Sequence, residues 1–132
     1  MQDAQFSLNF EVRDYECDIQ GIVNNAVYQH YLEHTRHQFL KSQGLDFAQI
    51  TQAGINLVVT RIEVDYLAPL KSGDTFRVEL KAERVSRLRF GFVQHIYRDD
   101  GKLMLRAKVT GTGVDRAGQI GLPPDIEGLF AA

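Results

Sequence analysis

Residues 12–40 read VRDYECDIQGIVNNAVYQHYLEHTRHQFL, and the fold turns on a change of period inside this stretch. From residue 25 to about 41, Tyr28, Tyr31, Leu32, Thr35 and Phe39 recur at helical spacing, with Val27 and Leu40 widening the stripe. Gln29, Glu33, Arg36 and His37 make the opposite face polar, so the segment reads as one long amphipathic helix. Asn24 or Asn25 supplies an N-cap oxygen for a free first-turn amide. Gly44 supplies the stop.

On both sides of this helix the period is two. Upstream, Phe6, Leu8, Phe10 and Val12 alternate with Ser7, Asn9 and Glu11, a half-buried strand. Downstream comes a second helical turn over residues 46–53, ending at Gly54. Val58, Thr60, Ile62, Val64 and Tyr66 then share one face, and Pro69 ends the run. Phe76, Val78, Leu80 and Ala82 form the next strand face, and Leu88, Phe90, Phe92 and Ile96 the one after it. Asp99-Asp100-Gly101-Lys102 reads as a hairpin turn, and the last strand runs from Leu103 to about Val114. The tail after Gly118, with Pro123-Pro124, reads as loop or one short turn. Alternating strands bury one face of an antiparallel sheet, and packing the helix there gives a two-layer α+β domain. At 132 residues the chain is a single domain, 1–132, with a core over about 6–116 and a tail over 117–132.

Composition narrows the function. The chain is 44% hydrophobic and 24% charged with a formal net charge of −2, without the basic excess that phosphate neutralisation requires, so no nucleic-acid partner is expected. Cys17 is the only cysteine, which excludes an intrachain disulfide and a zinc–thiolate cluster. MQDAQFSLNF has neither the basic nor the apolar region of a signal peptide. No apolar run approaches the ~20 residues that span a bilayer. A cytoplasmic protein without membrane insertion is expected.

Several residue groups carry potential chemistry. Asp18-x-x-Gly21 fits a type I turn, where Asp and Gly are preferred for backbone reasons alone. It also stands between a strand and a helix N-terminus, where free amides and the helix dipole favour developing negative charge. A carboxylate beside such amides is a minimal kit for acyl transfer, and both readings stay open at this point. His30, His34 and His37 share a helix face and have the spacing of a zinc pair with a third ligand. Against this stands a solvated face on which Glu33 pairs with Arg36 and His37, and no metal is expected. Cys17 reads as an inert thiol. There is no Gly-x-Ser-x-Gly elbow, and Gly111-Thr112-Gly113 lies in a strand and opens no helix. Arg84, Arg87, Arg89, Arg106 and Lys108 form a local basic cluster, either an ordinary solvent-facing surface or a dock for an anionic carrier.

The stretch from Val12 to Leu40 resembles the hot-dog thioesterases of the 4-hydroxybenzoyl-CoA thioesterase class. The pattern is carried by Asp18, Gly21, Ile22 and Val23, then Tyr28 and Glu33 in the helix. Val-Arg-Asp-Tyr-Glu, residues 23–28 and Arg36-His37 look especially like the acyl-ACP thioesterase branch, including methylketone-synthase-type enzymes. Residues 64–74 match that family's second strand and following turn. The resemblance implies a hot-dog fold, with a five-stranded antiparallel sheet wrapped around one long central helix. It implies a homodimer or homotetramer with active sites at the dimer interface, and no cofactor. The implied activity is hydrolysis of a fatty or β-ketoacyl thioester, on CoA or acyl carrier protein, to free acid and thiol. In it Asp18 is nucleophile or general base, the Asn25 backbone N–H the oxyanion donor, and Gly21 the residue that lets the loop turn. Tyr28, Thr60, Ser86, Arg87 and Arg89 are the implied substrate-binding residues. Hydroxybenzoyl enzymes carry a larger aromatic residue at position 25, so Asn25 turns the expectation from aromatic acids to aliphatic chains. A hot-dog enoyl-thioester hydratase would need a histidine five residues after the aspartate, where this chain has Val23. A non-catalytic acyl-thioester binder is the other alternative.

Overall fold

The computed structural model describes residues 1–122 and 124–130; Pro123 of the expected tail lies outside the described residues. Strand β1 (Phe6–Glu11) is followed by the 18-residue helix α1 (Asn25–Ser42) and the short helix α2 (Phe47–Gln52). Then come β2 (Asn56–Tyr66), β3 (Thr75–Arg84), β4 (Arg89–Arg98) and β5 (Leu103–Val114). A two-residue strand β6 (Ile120–Gly121) pairs with β5, and the turn of helix α3 (Pro124–Glu127) runs into a 3-10 turn over Gly128–Phe130. The tail is therefore more ordered than a loop.

The long strands form one antiparallel sheet in the order β1-β3-β4-β5-β2, so β1 and β2 are its edges. The α1 stripe packs on the concave face as the spacing predicts: Tyr28, Tyr31, Leu32, Thr35, Phe39 and Leu40 are all buried. Asn24 is the N-cap, its Oδ1 accepting from the Ala26 N–H at 2.9 Å. The core divides along the helix. One cluster gathers around Tyr28, Tyr31, Leu32, Phe76 and Ile96, the other around Phe39, Leu40, Phe90, Phe92 and Phe130.

Two expectations are corrected. In β2 the register slips between Val59 and Arg61, leaving Thr60 as a bulge. Leu57 and Val59 therefore pair with Gly113 and Gly111, and Ile62, Val64 and Tyr66 with Val109, Ala107 and Leu105, so the helix-facing set changes phase at Thr60. Val58, opposite Thr112, falls on the other face. On α1, Arg36 is buried at 7% exposure rather than part of a solvated face. Its guanidinium donates to Gln94 Oε1 at 3.1 Å, and Gln94 Nε2 donates to the Leu32 carbonyl at 2.9 Å.

Candidate active site

The segment between β1 and α1 is held at both flanks. Cys17 and Val23 face each other in a bridge, and Ile22 bridges to Lys71. The Val23 N–H donates to Leu70 O at 2.9 Å, and the Leu70 N–H donates to the Tyr28 hydroxyl at 2.9 Å. Tyr28 is thus a buried pillar that ties helix to loop, and burial raises its pKa. Its hydroxyl accepts from the backbone, which gives it a positioning role between helix and loop.

Inside these flanks, Asp18 to Gly21 closes a turn through Gly21 N–H to Asp18 O at 2.9 Å, with Gly21 at φ 79°. A Cβ at Gly21 would meet nothing within 4 Å, so the backbone angle and not space requires the glycine. Asp18 Oδ1 accepts from the amides of Gln20 (2.9 Å) and Ile22 (3.4 Å). That fixes the side chain while Oδ2 stays open toward solvent, among the described residues.

At the helix start the Ala26 amide is taken by the Asn24 side chain and the Val27 amide by the Asn24 carbonyl. The Asn25 N–H, the first of the helix, has no acceptor among the described residues and adds to the positive end of the helix dipole. A carboxylate and a free amide thus stand on the same short loop. Partial burial raises the pKa of Cys17, and Asp14 and Asp18 raise it further, which disfavours its thiolate.

The remaining expected residues do not join this group. Thr60 sits on the β2 bulge, its hydroxyl donating to Thr110 O at 3.2 Å. Ser86, Arg87 and Arg89 lie exposed at the β3–β4 hairpin. The Asp18 loop abuts the start of β3, and the ten residues of β3 carry the chain about 30 Å to that hairpin. Arg84, Arg106 and Lys108 are engaged with Glu127, Asp65 and Glu83. Arg87 and Arg89 form no ion pair among the described residues.

Near the hairpin end lies a feature not visible in the sequence, a cavity of about 290 Å³ between α1, β2, β4, β5 and the C-terminal segment. Leu40, Leu57, Val59, Phe90, Phe92, Val109 and Phe130 make it apolar, and its polar groups are Glu33, Arg36 and His37. Burial lowers the pKa of both Arg36 and His37. Gly111 makes this packing possible, since a Cβ there would meet the Phe90 ring and the Val58 carbonyl, each at 2.6 Å. Arg36 was legible as an interior position, because Tyr28, Leu32, Arg36 and Leu40 recur every fourth residue. Phe130 stood in a tail with no periodicity to reveal it. Glu16, also missed, is buried and accepts from the Tyr31 hydroxyl at 2.9 Å and the Arg13 amide at 2.8 Å. Among the described residues no group of three or more His, Cys, Asp or Glu side chains is arranged to hold a metal, and no helix is long and apolar enough to cross a membrane.

This fold, with its loop carboxylate at the start of the central helix, is that of the hot-dog thioesterases. Residues 12–130 match the Thioesterase-like superfamily, and the chain belongs to that family. It is 37% identical over 109 residues to the chloroplastic acyl-acyl carrier protein thioesterase ATL2 of Arabidopsis thaliana, covering 82% of this chain and 58% of the plant protein. The chain thus spans little more than half the length of that curated relative. The crystal structure of a hypothetical protein of Aquifex aeolicus superposes with a TM-score of 0.88 at 29% identity, covering 96% of this chain and 99% of the other. Slr0204, a 1,4-dihydroxy-2-naphthoyl-CoA thioesterase from Synechocystis, superposes with the same TM-score over 94% and 93% of the two chains; at 20% identity this likeness concerns the fold.

Proposed function

We propose that the protein hydrolyses an aliphatic acyl thioester of coenzyme A or acyl carrier protein, with Asp18 as the catalytic carboxylate. The observation that supports this reading is that one segment, between β1 and α1, carries both an exposed Asp18 with an open Oδ2 and the unbonded Asn25 amide at the head of α1. In the general-base route Asp18 takes a proton from water as its oxygen attacks the thioester carbonyl carbon. The Asn25 N–H and the helix dipole hold the oxyanion of the tetrahedral intermediate. Collapse breaks the C–S bond, and the departing thiolate takes the proton back from Asp18, giving acid and thiol. In the nucleophilic route Asp18 Oδ2 attacks first and water resolves the mixed anhydride. Single-turnover hydrolysis in ¹⁸O-water separates the two, since only the anhydride route leaves label in the protein.

The same reading requires a second chain. Edge strand β2 presents Val59, Ile62 and Tyr66 at 43–47% exposure, an apolar ladder left uncovered. Antiparallel pairing of two such edges about a two-fold axis sets the Asn56 end of one β2 against the Tyr66 end of the other. One protomer's Asp18 loop then approaches its partner's cavity and hairpin arginines, a dimer site in which the apolar cavity takes the acyl chain and Arg87 and Arg89 take the carrier's phosphates or acidic surface.

A thiol-release assay over acyl-CoA and acyl-carrier-protein substrates tests the proposal. Asp18→Asn is expected to cut kcat by about 10³-fold with the fold intact, the scale of losing one such group. Equal rates for the two proteins would sink the catalytic assignment.

A further inference from the structure

The cavity has one wall unlike the others. Leu40 belongs to α1 and Val109 and Phe92 to the inner strands, all fixed by helix or ladder hydrogen bonds. Phe90 is fixed as well, since its ring packs on the bare backbone of Gly111. Phe130 comes instead from the segment beyond β6, which adds nothing to the five long strands. It is 1% exposed, stacks on Phe90 at 4.9 Å and 24°, and meets Phe92 edge-on at 5.4 Å. Two further contacts seat the segment. Ile126 is buried in the same cluster, and Glu127 pairs with Arg84 of β3 at 2.5 Å.

We propose that Phe130 sets the length of acyl chain the enzyme accepts, acting as the closing wall of the tail cavity, with the Arg84–Glu127 ion pair holding it in place. This rests on the reading of the cavity as the acyl site. The Phe130 ring lines the cavity against Phe90 and Phe92 and belongs to no strand, so removing it enlarges the cavity without touching the sheet. Each methylene that enters contributes its burial to transition-state binding, about fourfold in kcat/KM per carbon. A chain that reaches the ring gains nothing from further carbons and must displace it, so the profile against chain length breaks at the length Phe130 allows. Glu127 acts only through position, and its loss is expected to blur the break.

The test is kcat/KM across a series of saturated acyl-CoA substrates for the native protein, Phe130→Ala, Phe130→Trp and Glu127→Gln. In Phe130→Ala the break moves to longer chains, and the preference for a substrate two carbons beyond the native optimum rises on the order of tenfold. In Phe130→Trp it moves to shorter chains, and in Glu127→Gln it broadens while the optimum stays. A break at the same length in both Phe130 variants, or a uniform fall at every length, overturns the proposal. Should Phe130→Ala fail to fold, Phe130→Leu replaces it with the same expected direction. If the native protein hydrolyses no substrate, the functional reading fails by itself. The acyl-CoA affinities of native protein and Phe130→Trp, measured by calorimetry over the same series, then decide the wall: a break that shifts supports it, and one that stays overturns it.

Discussion

The two halves of α1 are built for different work. The N-terminal half carries the free Asn25 amide, and its Tyr28 hydroxyl reaches the backbone that anchors the Asp18 loop. The C-terminal half faces Phe90, Phe92 and Phe130 across an apolar cavity, where burial lowers the pKa of Arg36 and His37. One end offers a carboxylate beside an open amide; the other offers an apolar cavity of about 290 Å³. The sheet keeps them apart within a chain, and the proposed edge-to-edge dimer would bring them together. On the proposed function, the separation makes these two ends half-sites of a shared one.

The division is open to attack at the N-terminal half first. Asn25→Pro deletes the proposed oxyanion donor while suiting its place, because proline is tolerated at the first helical position and Asn24 already has extended angles (φ −63°, ψ 139°). The expected result is a loss of about 10²-fold or more in kcat with helicity unchanged, while Asn25→Ala stays near native. Parallel losses in the two variants would move the role from backbone to side chain.

A smaller effect is expected at the pillar. Tyr28→Phe leaves the buried Leu70 N–H without its acceptor, which costs about 1–3 kcal/mol of stability in denaturant titration. Unchanged stability would show that the tie between helix and loop is worth nothing.

The smallest effect belongs to the C-terminal half. Burial holds the His37 pKa below its ordinary 6.5, with Arg36, His34 and Lys41 adding to the shift and Glu33 opposing it. The unfolded chain takes up a proton near pH 6.5 that the folded chain resists, so stability is full above that pH and falls as pH drops through the folded value. His37→Gln should flatten part of that decline in a Tm-against-pH series, the rest belonging to His95, whose pKa burial also lowers. An unaltered slope would place His37 outside the linkage.

Much of this was legible in the residues. The α1 stripe, the alternation of β3 and the Asp-Gly hairpin are local patterns that tertiary packing obeyed. The β2 face is hidden from the sequence because a bulge is one extra residue, and period-two alternation does not register Thr60 stepping out of the ladder. The charge of Arg36 points to the surface, while its four-residue spacing from Leu32 points to the interior where it lies. The Asp18 loop was visible from its turn chemistry and its place before the helix. The cavity was not, since its walls come from α1, three strands and a tail whose packing no local period encodes.

The central claim is that one chain's Asp18 works with the other chain's hairpin and cavity. It is tested most directly by mixing Asp18→Asn with an Arg87→Glu/Arg89→Glu double variant, after each alone has lost turnover, and letting the subunits exchange. Half of the reassembled dimers are mixed, and each mixed dimer holds one site with both halves intact. Activity should therefore return to about a quarter of native. A mixture that stays at the average of its two parents would contradict the account and place the whole site within a single chain.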